Sequence, residues 1–181
     1  MLPELKICGI NDLGFAIEAE KSVDYLGFIF AKKSPRYVTP EEAAKIIAAL
    51  SGKAKKVGVF VSFIEAKEIA SEIKFDVIQL HFRAKAEEVE FFRLLGFEVW
   101  TLAGGAEGDG VLFDSSHGDG ETELRQGAYK AILAGKIGPE NFAAAIKSGA
   151  DILDMNSALE EAPGRKSLAK LNELQRLLVI K

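Results

Sequence analysis

A trimmed (β/α)8 barrel, the TIM fold of the α/β class, is what this sequence predicts, and three observations lead to it. Eight short apolar runs recur along the 181 residues: Leu5 to Ile10, Tyr25 to Phe30, Val57 to Val61, Val77 to His81, Val99 to Leu102, Val111 to Asp114, Ala131 to Ala134 and Ile152 to Met155. Helical patterns lie between several of them, and such alternation implies a parallel sheet whose neighbouring strands are joined by helical crossovers. The third observation settles the length. Eight units leave about 23 residues each, whereas a typical barrel has about 250 in all, so some crossovers must be short. Between Leu102 and Val111 the chain reads Ala103-Gly104-Gly105-Ala106-Glu107-Gly108-Asp109-Gly110, which cannot hold a normal helix. The fifth crossover is therefore expected to be a loop. Residues 115–130 leave room only for a short sixth helix.

The elements justify themselves in order. The first strand ends at Cys8-Gly9, and Asn11-Asp12 mark a helix start. After the second strand, Thr39 is an N-cap, Pro40 suits the first helical position, and Ala43, Ile46, Ile47 and Leu50 form an apolar stripe over residues 41–50. Ala66, Ile69, Ala70 and Ile73 repeat that spacing after the third strand. Phe91, Phe92 and Leu95 give the fourth helix its core face. A helix is expected to begin near Pro139-Glu140, a short one to open at Asn156-Ser157-Ala158, and a final one to use Leu168, Leu171, Leu174 and Leu178. No G-x-G-x-x-G fingerprint follows the first strand, which disfavours the alternative of an open, doubly wound sheet.

Composition excludes several classes. A net charge of −4, with 28% charged and 48% hydrophobic residues, describes a soluble globular protein with no electrostatic bias toward nucleic acid or membrane surfaces. One cysteine makes no internal disulfide, and Met1-Leu2-Pro3-Glu4 lacks the basic and apolar regions of a signal peptide, so a cytoplasmic protein is expected. The whole chain, 1–181, reads as a single barrel domain. Whether it is a monomer or a homodimer is left open.

Barrel enzymes place their chemistry at the carboxyl ends of the strands. Cys8 ends the first strand. Side chains alternate, so with Cys8 at the barrel mouth Lys6 lies inside the barrel below it, while Leu5 and Ile7 face the helices. Asp114 ends the sixth strand at the same level. Taken singly, Cys8 is an inert buried thiol and Asp114 a helix cap; together they form a pair suited to proton shuttling. The loop Lys32-Lys33-Ser34-Pro35-Arg36-Tyr37 supplies cations, of which Arg36 can grip a carboxylate or phosphate bidentately. After strands seven and eight, Gly135-Lys136 and Asn156-Ser157-Ala158 occupy the positions where barrels hold phosphate on backbone N–H groups. His81 on the fourth strand titrates near neutrality and is read as a pocket residue. Gly118 and Gly120, in the glycine-rich loop after the sixth strand, are read as substrate-binding residues and as potential hinges of a loop over the site.

Several stretches together resemble the phosphoribosylanthranilate isomerase family nearly end to end. They are Lys6-Ile7-Cys8-Gly9-Ile10, Leu26 to Phe30 followed by Ser34-Pro35-Arg36-Tyr37-Val38, Val57 to Val61, Gln79-Leu80-His81, Leu133-Ala134-Gly135, and Glu160 with Pro163-Gly164-Arg165-Lys166. The resemblance implies an Amadori rearrangement of N-(5-phosphoribosyl)anthranilate in tryptophan biosynthesis, without metal or cofactor. It also implies that Cys8 is the general base, Asp114 the general acid, and Arg36 the clamp on the anthranilate carboxylate. The chemistry suits the residues. Ring opening needs a proton on the ring oxygen, and the Schiff base then loses its C2′ proton. Cations such as Lys6 or Arg36 would help Cys8 to give up its own.

The chain departs from the family pattern at its glycines. Phe82 follows the strand-four histidine, Lys136 replaces the second glycine of a Gly-Gly pair, and Asn156-Ser157-Ala158 replaces Ser-Ser-Gly. A lost glycine with φ > 0 would force a local change. Lys136 compensates with a charge, whereas Asp119 and Glu121 would oppose a phosphate. Two rival readings follow: a barrel isomerase for another phosphosugar, and a barrel that only binds a ligand.

Overall fold

The computed structural model describes residues 2–114, 124 and 127–179. Eight parallel strands close in sequence order into a barrel: β1 (Glu4–Cys8), β2 (Tyr25–Ile29), β3 (Lys55–Phe60), β4 (Val77–Leu80), β5 (Glu98–Leu102), β6 (Gly110–Asp114), β7 (Lys130–Ala134) and β8 (Ile152–Met155). Closure runs through β1 and β8, where Lys6 pairs with Asp154 and Ile7 with Met155. The open-sheet alternative is thereby excluded. Helices α1 (Leu13–Ala19), α2 (Pro40–Ala49), α3 (Phe63–Glu72), α4 (Ala86–Leu94), α5 (Phe142–Ile146) and α6 (Leu168–Val179) pack outside. A 3₁₀ turn over Ser157–Leu159 follows β8, then an antiparallel hairpin, β9 (Glu160–Ala162) and β10 (Arg165–Lys166).

Two layers of core follow from strand alternation. Leu5, Ile7, Leu26, Phe28, Ile78, Leu80 and Leu153 point outward and are buried under the helices. Tyr25, Val57, Val59, Val77, Trp100, Leu112, Ile132 and Ile152 fill the barrel with Cys8. Into that apolar interior β1, β4 and β8 also send Lys6, Gln79 and Asp154.

Local chemistry explains the helix starts. Asp12 accepts the Phe15 N–H at 2.7 Å, and Thr39 forms a reciprocal capping box with Glu42. The seventh crossover begins later than Pro139, at Phe142, because the Asn141 side chain ties back the Gly138 N–H at 2.9 Å.

No helix joins β5 to β6. The connecting loop is fastened by Asp109, which accepts from the Val99 N–H at 2.8 Å and from Arg93 at 2.9 Å. With no helix beside it there, α4 leaves Leu94 79% and Leu95 60% exposed, so Leu95 is not part of the core face expected for it. Leu168 is corrected likewise: it opens α6 and is half exposed, and the packing face begins at Leu171. The expected short sixth helix lies outside the described residues.

Glu20, at the end of α1, gathers the α2–β3 turn by accepting from the Ser51 N–H and hydroxyl and the Gly52 and Lys53 N–H groups. Burial opposes its ionisation, but those hydrogen bonds prevail and hold the carboxyl below its ordinary range. A group with a depressed folded pKa stabilises above the unfolded value and loses that contribution as pH falls through the folded one. Glu20→Ala is expected to cost about 2 to 4 kcal/mol at neutral pH. Urea titrations should show the gap to wild type closing as the pH drops below the carboxylate range.

Candidate active site

The strand ends and the loops that follow them enclose a cavity of about 400 Å³. Cys8, Arg36, His81, Asp114, Gly135, Lys136, Asn156 and Ser157 all line it, together with Ser34, Gln79 and Asp154. Most residues singled out in the sequence thus meet in one place. Ala158 does not; it lines a smaller neighbouring cavity with Lys136, Gly138, Asn141 and Lys170. Gly118 and Gly120 lie outside the described residues. Lys32 and Lys33 point into solvent, so Arg36 is the one cation of its loop on the cavity wall.

Alternation along β1 carries Cys8 to the mouth and Lys6 to the floor. Lys6 is fully buried, and its ammonium donates to Asp154 Oδ2 at 2.5 Å and to Gln79 Oε1 at 2.9 Å. Burial opposes its charge, but Asp154, by its field and its hydrogen bond, outweighs burial and raises its pKa. For Cys8 the balance falls the other way. Burial pushes the thiol up, against the lowering effects of Lys6 and Lys166, so the neighbouring cations do not make it a resting thiolate. Asp154 Oδ1 is buried and finds no hydrogen-bond donor among the described residues.

A second network holds Arg36. Its Nε and Nη2 donate to the two carboxylate oxygens of Glu160 at 2.7 and 2.9 Å, a bidentate pair. Lys166, also buried, donates to Glu160 and to the backbone and side-chain oxygens of Asn156. Burial penalises the Glu160 charge, yet Arg36 and Lys166 prevail and keep its carboxyl below the ordinary range. The hairpin that carries these residues also braces the loop of Arg36. Gly164 has φ +80°, and any β-carbon there would collide with the Pro35 carbonyl oxygen. Asn11 fastens the same glycine by donating to its carbonyl at 3.0 Å.

The sequence reading gave no role to Asp154, nor to Gln79 and Glu160, which it noted only among the family markers. Two of them carried a signal, as polar residues within strands otherwise buried. The pairing of Glu160 with Arg36, 124 positions apart, had none.

The loop after β7 answers the question of the lost glycine. Lys136 adopts φ 52°, the left-handed conformation, as the one non-glycine residue of that kind among those described. The backbone there adopts a conformation that suits glycine, and the lysine bears the strain.

Comparison with known proteins agrees with this geometry. Residues 5–176 match the family model for N-(5′-phosphoribosyl)anthranilate (PRA) isomerase. An N-(5′-phosphoribosyl)anthranilate isomerase from Campylobacter jejuni is 36% identical, over 97% of this chain and 98% of that one. The crystal structure of phosphoribosyl anthranilate isomerase from Thermus thermophilus superposes with a TM-score of 0.83 at 32% identity, covering 98% of this chain and all of that one. A phosphoribosyl anthranilate isomerase in complex with reduced 1-(o-carboxyphenylamino)-1-deoxyribulose 5-phosphate gives 0.80 at 25% identity, over 95% and 96% of the two chains.

Replacing Glu160 with Gln leaves two cations crowded without their shared carboxylate. A loss of about 2 kcal/mol is expected, reduced from the fully buried case because Arg36 is partly solvated. Denaturant unfolding of Glu160→Gln beside wild type checks this, and an unchanged midpoint would show the pair to be energetically idle.

Proposed function

The chain belongs to the phosphoribosylanthranilate isomerase family and is an isomerase of tryptophan biosynthesis, and from that premise we propose which of its residues perform the reaction. Cys8 is the general base, Asp114 the general acid, and Arg36 the group that receives the anthranilate carboxylate. The observation that carries this reading is that the three line one cavity at the strand ends, although Cys8 and Asp114 are 106 positions apart in sequence.

The reaction needs one acid and one base. Asp114 protonates the ring oxygen as the C1′–O bond breaks, and the anilino nitrogen supplies the electron pair that forms the Schiff base. Cys8, as thiolate, then removes the C2′ proton, and the enolamine relaxes to the ketone. Arg36 spends two of its five N–H donors on Glu160, which fixes the plane of the guanidinium and leaves its remaining edge for a carboxylate. The buried Asp154 Oδ1 is placed to accept from a sugar hydroxyl. Lys136 and the backbone after β7 and β8 receive the phosphate. No step draws on a metal or cofactor.

The same reading takes residues 1–181 as one barrel domain, and its lone thiol suits a reducing, cytoplasmic setting. The partner it requires is the small phosphosugar.

Following anthranilate fluorescence with freshly generated phosphoribosylanthranilate tests the assignment. Cys8→Ala and Asp114→Asn should each lower the rate by about 10² or more with folding intact, and retained activity in either removes that residue from the mechanism. Because the base must be deprotonated and burial pushes its pKa up, kcat/KM should rise with pH on the alkaline side of neutrality and fall below it. Lys136→Gly separates two roles of one residue: the strain of φ 52° is relieved, so stability should hold or gain up to about 1 kcal/mol. Its KM should meanwhile rise about tenfold as one phosphate charge contact is lost. A KM equal to that of wild type would place the phosphate elsewhere.

A further inference from the structure

Beneath Cys8 lies a buried ammonium that the reaction scheme leaves unused. Lys6 does not line the cavity, yet it is fully buried and held from two sides by Asp154 on β8 and Gln79 on β4. Its side chain and that of Cys8 lean toward the same gap. Gly27, the β2 partner of Cys8, has no β-carbon, and the point where one would stand lies 3.0 Å from Cys8 Sγ and 3.1 Å from Lys6 Cε. An absent methyl on the neighbouring strand thus lets the ammonium stem and the thiol share one space.

We propose that Lys6 is a positioning residue for this enzyme, which from the barrel floor sets the charge state of Cys8. The inference rests on the reading of Cys8 as the base and adds to it the group that makes a buried thiol usable. The charges around Cys8 have the right sum. Lys6 on β1, Arg36 in the loop after β2 and Lys166 on β10 stand against Asp154 on β8 and Glu160 on β9, so three cations face two carboxylates. The excess positive charge matches one thiolate. When the anthranilate carboxylate engages Arg36 it takes up that cation, and the field of Lys6, the largest cationic influence on the thiol, persists. His81, Asp114 and Lys136 line the cavity from the strands and loops farther round the barrel. Lys6 acts on the thiol by its charge, and Asp154 opposes it less strongly.

Cys8 is the chain's only cysteine, so alkylation by iodoacetamide reads its thiolate without ambiguity. The rate would be followed against pH in wild type, in Lys6→Met, and in Lys6→Met/Asp154→Leu. The double variant removes both charges together and leaves neither buried alone. In both variants the midpoint is expected to rise, by about one pH unit in Lys6→Met, so that alkylation below it slows about tenfold. In Lys6→Met the alkaline limb of kcat should move with it, while KM stays within about twofold because Lys6 does not reach the cavity. A folded variant of either kind whose midpoint stays at or below that of wild type overturns the inference. Alkylation reports the thiol whether or not it is the base: an active Cys8→Ala enzyme would overturn the assignment of the base, whereas an unmoved midpoint overturns only the role of Lys6.

Discussion

The buried ion pair between Lys6 and Asp154 stands where the first and last strands meet, and the placement of the site depends on it. A pair of this kind adds little net stability over a well-packed apolar one, since desolvation offsets the attraction. What it supplies is register. If β1 slipped by one residue against β8, Lys6 would turn outward into the layer of Leu5, Ile7 and Leu153, an ammonium among aliphatic groups with no carboxylate to meet it. Removing one partner of a buried pair costs about 3 to 5 kcal/mol, enough to reject the slipped state. The register that satisfies Lys6 is also the one that brings Cys8 to the mouth, two residues on and on the same face.

The opposite wall of the cavity is fixed by a separate device. Arg36 sits in a loop, and a long side chain on a loop has many rotamers to lose. The hairpin after β8 removes that freedom in three ways: Glu160 grips the guanidinium, Lys166 balances Glu160, and Gly164 lets the hairpin close on Pro35 without a side chain between them. The Pro163-Gly164-Arg165-Lys166 motif is thus a brace. It orients Arg36, the residue proposed above to receive the substrate's carboxylate.

These two devices show what was legible in the sequence. The eight strands were, because each is an apolar run bounded by glycine or polar residues, and so was the missing fifth helix, because a seven-residue glycine-rich connection cannot hold one. The gathering of Cys8, Asp114, Arg36 and His81 followed from strand order alone. The hidden part is of two kinds. Leu95 and Leu168 obey helical periodicity but lack a neighbour to cover them, and periodicity describes a helix, not what stands beside it. The Arg36–Glu160 and Lys6–Asp154 contacts join residues more than a hundred positions apart, and no local pattern encodes a partner at that distance.

The lost glycines bear on whether the phosphate loops still serve the family's substrate. Had these loops drifted to another ligand, nothing would hold position 136 in a conformation that suits glycine and costs a lysine about 1 to 2 kcal/mol. Lys136 keeps it nonetheless, at φ 52°. The other substitution is absorbed in a different way. Ala158 gains a methyl group that glycine would lack, and it faces Gly138, where an added β-carbon would come within 2.6 Å of that methyl. A glycine on the opposing loop makes the room that Ala158 takes. Strain at one position and a complementary glycine at the other are both ways for a loop to accommodate a side chain where the family pattern has glycine. With the phosphate on these loops, as proposed above, such a backbone would still offer it the N–H groups after β7 and β8, which favours retention of the substrate over its replacement.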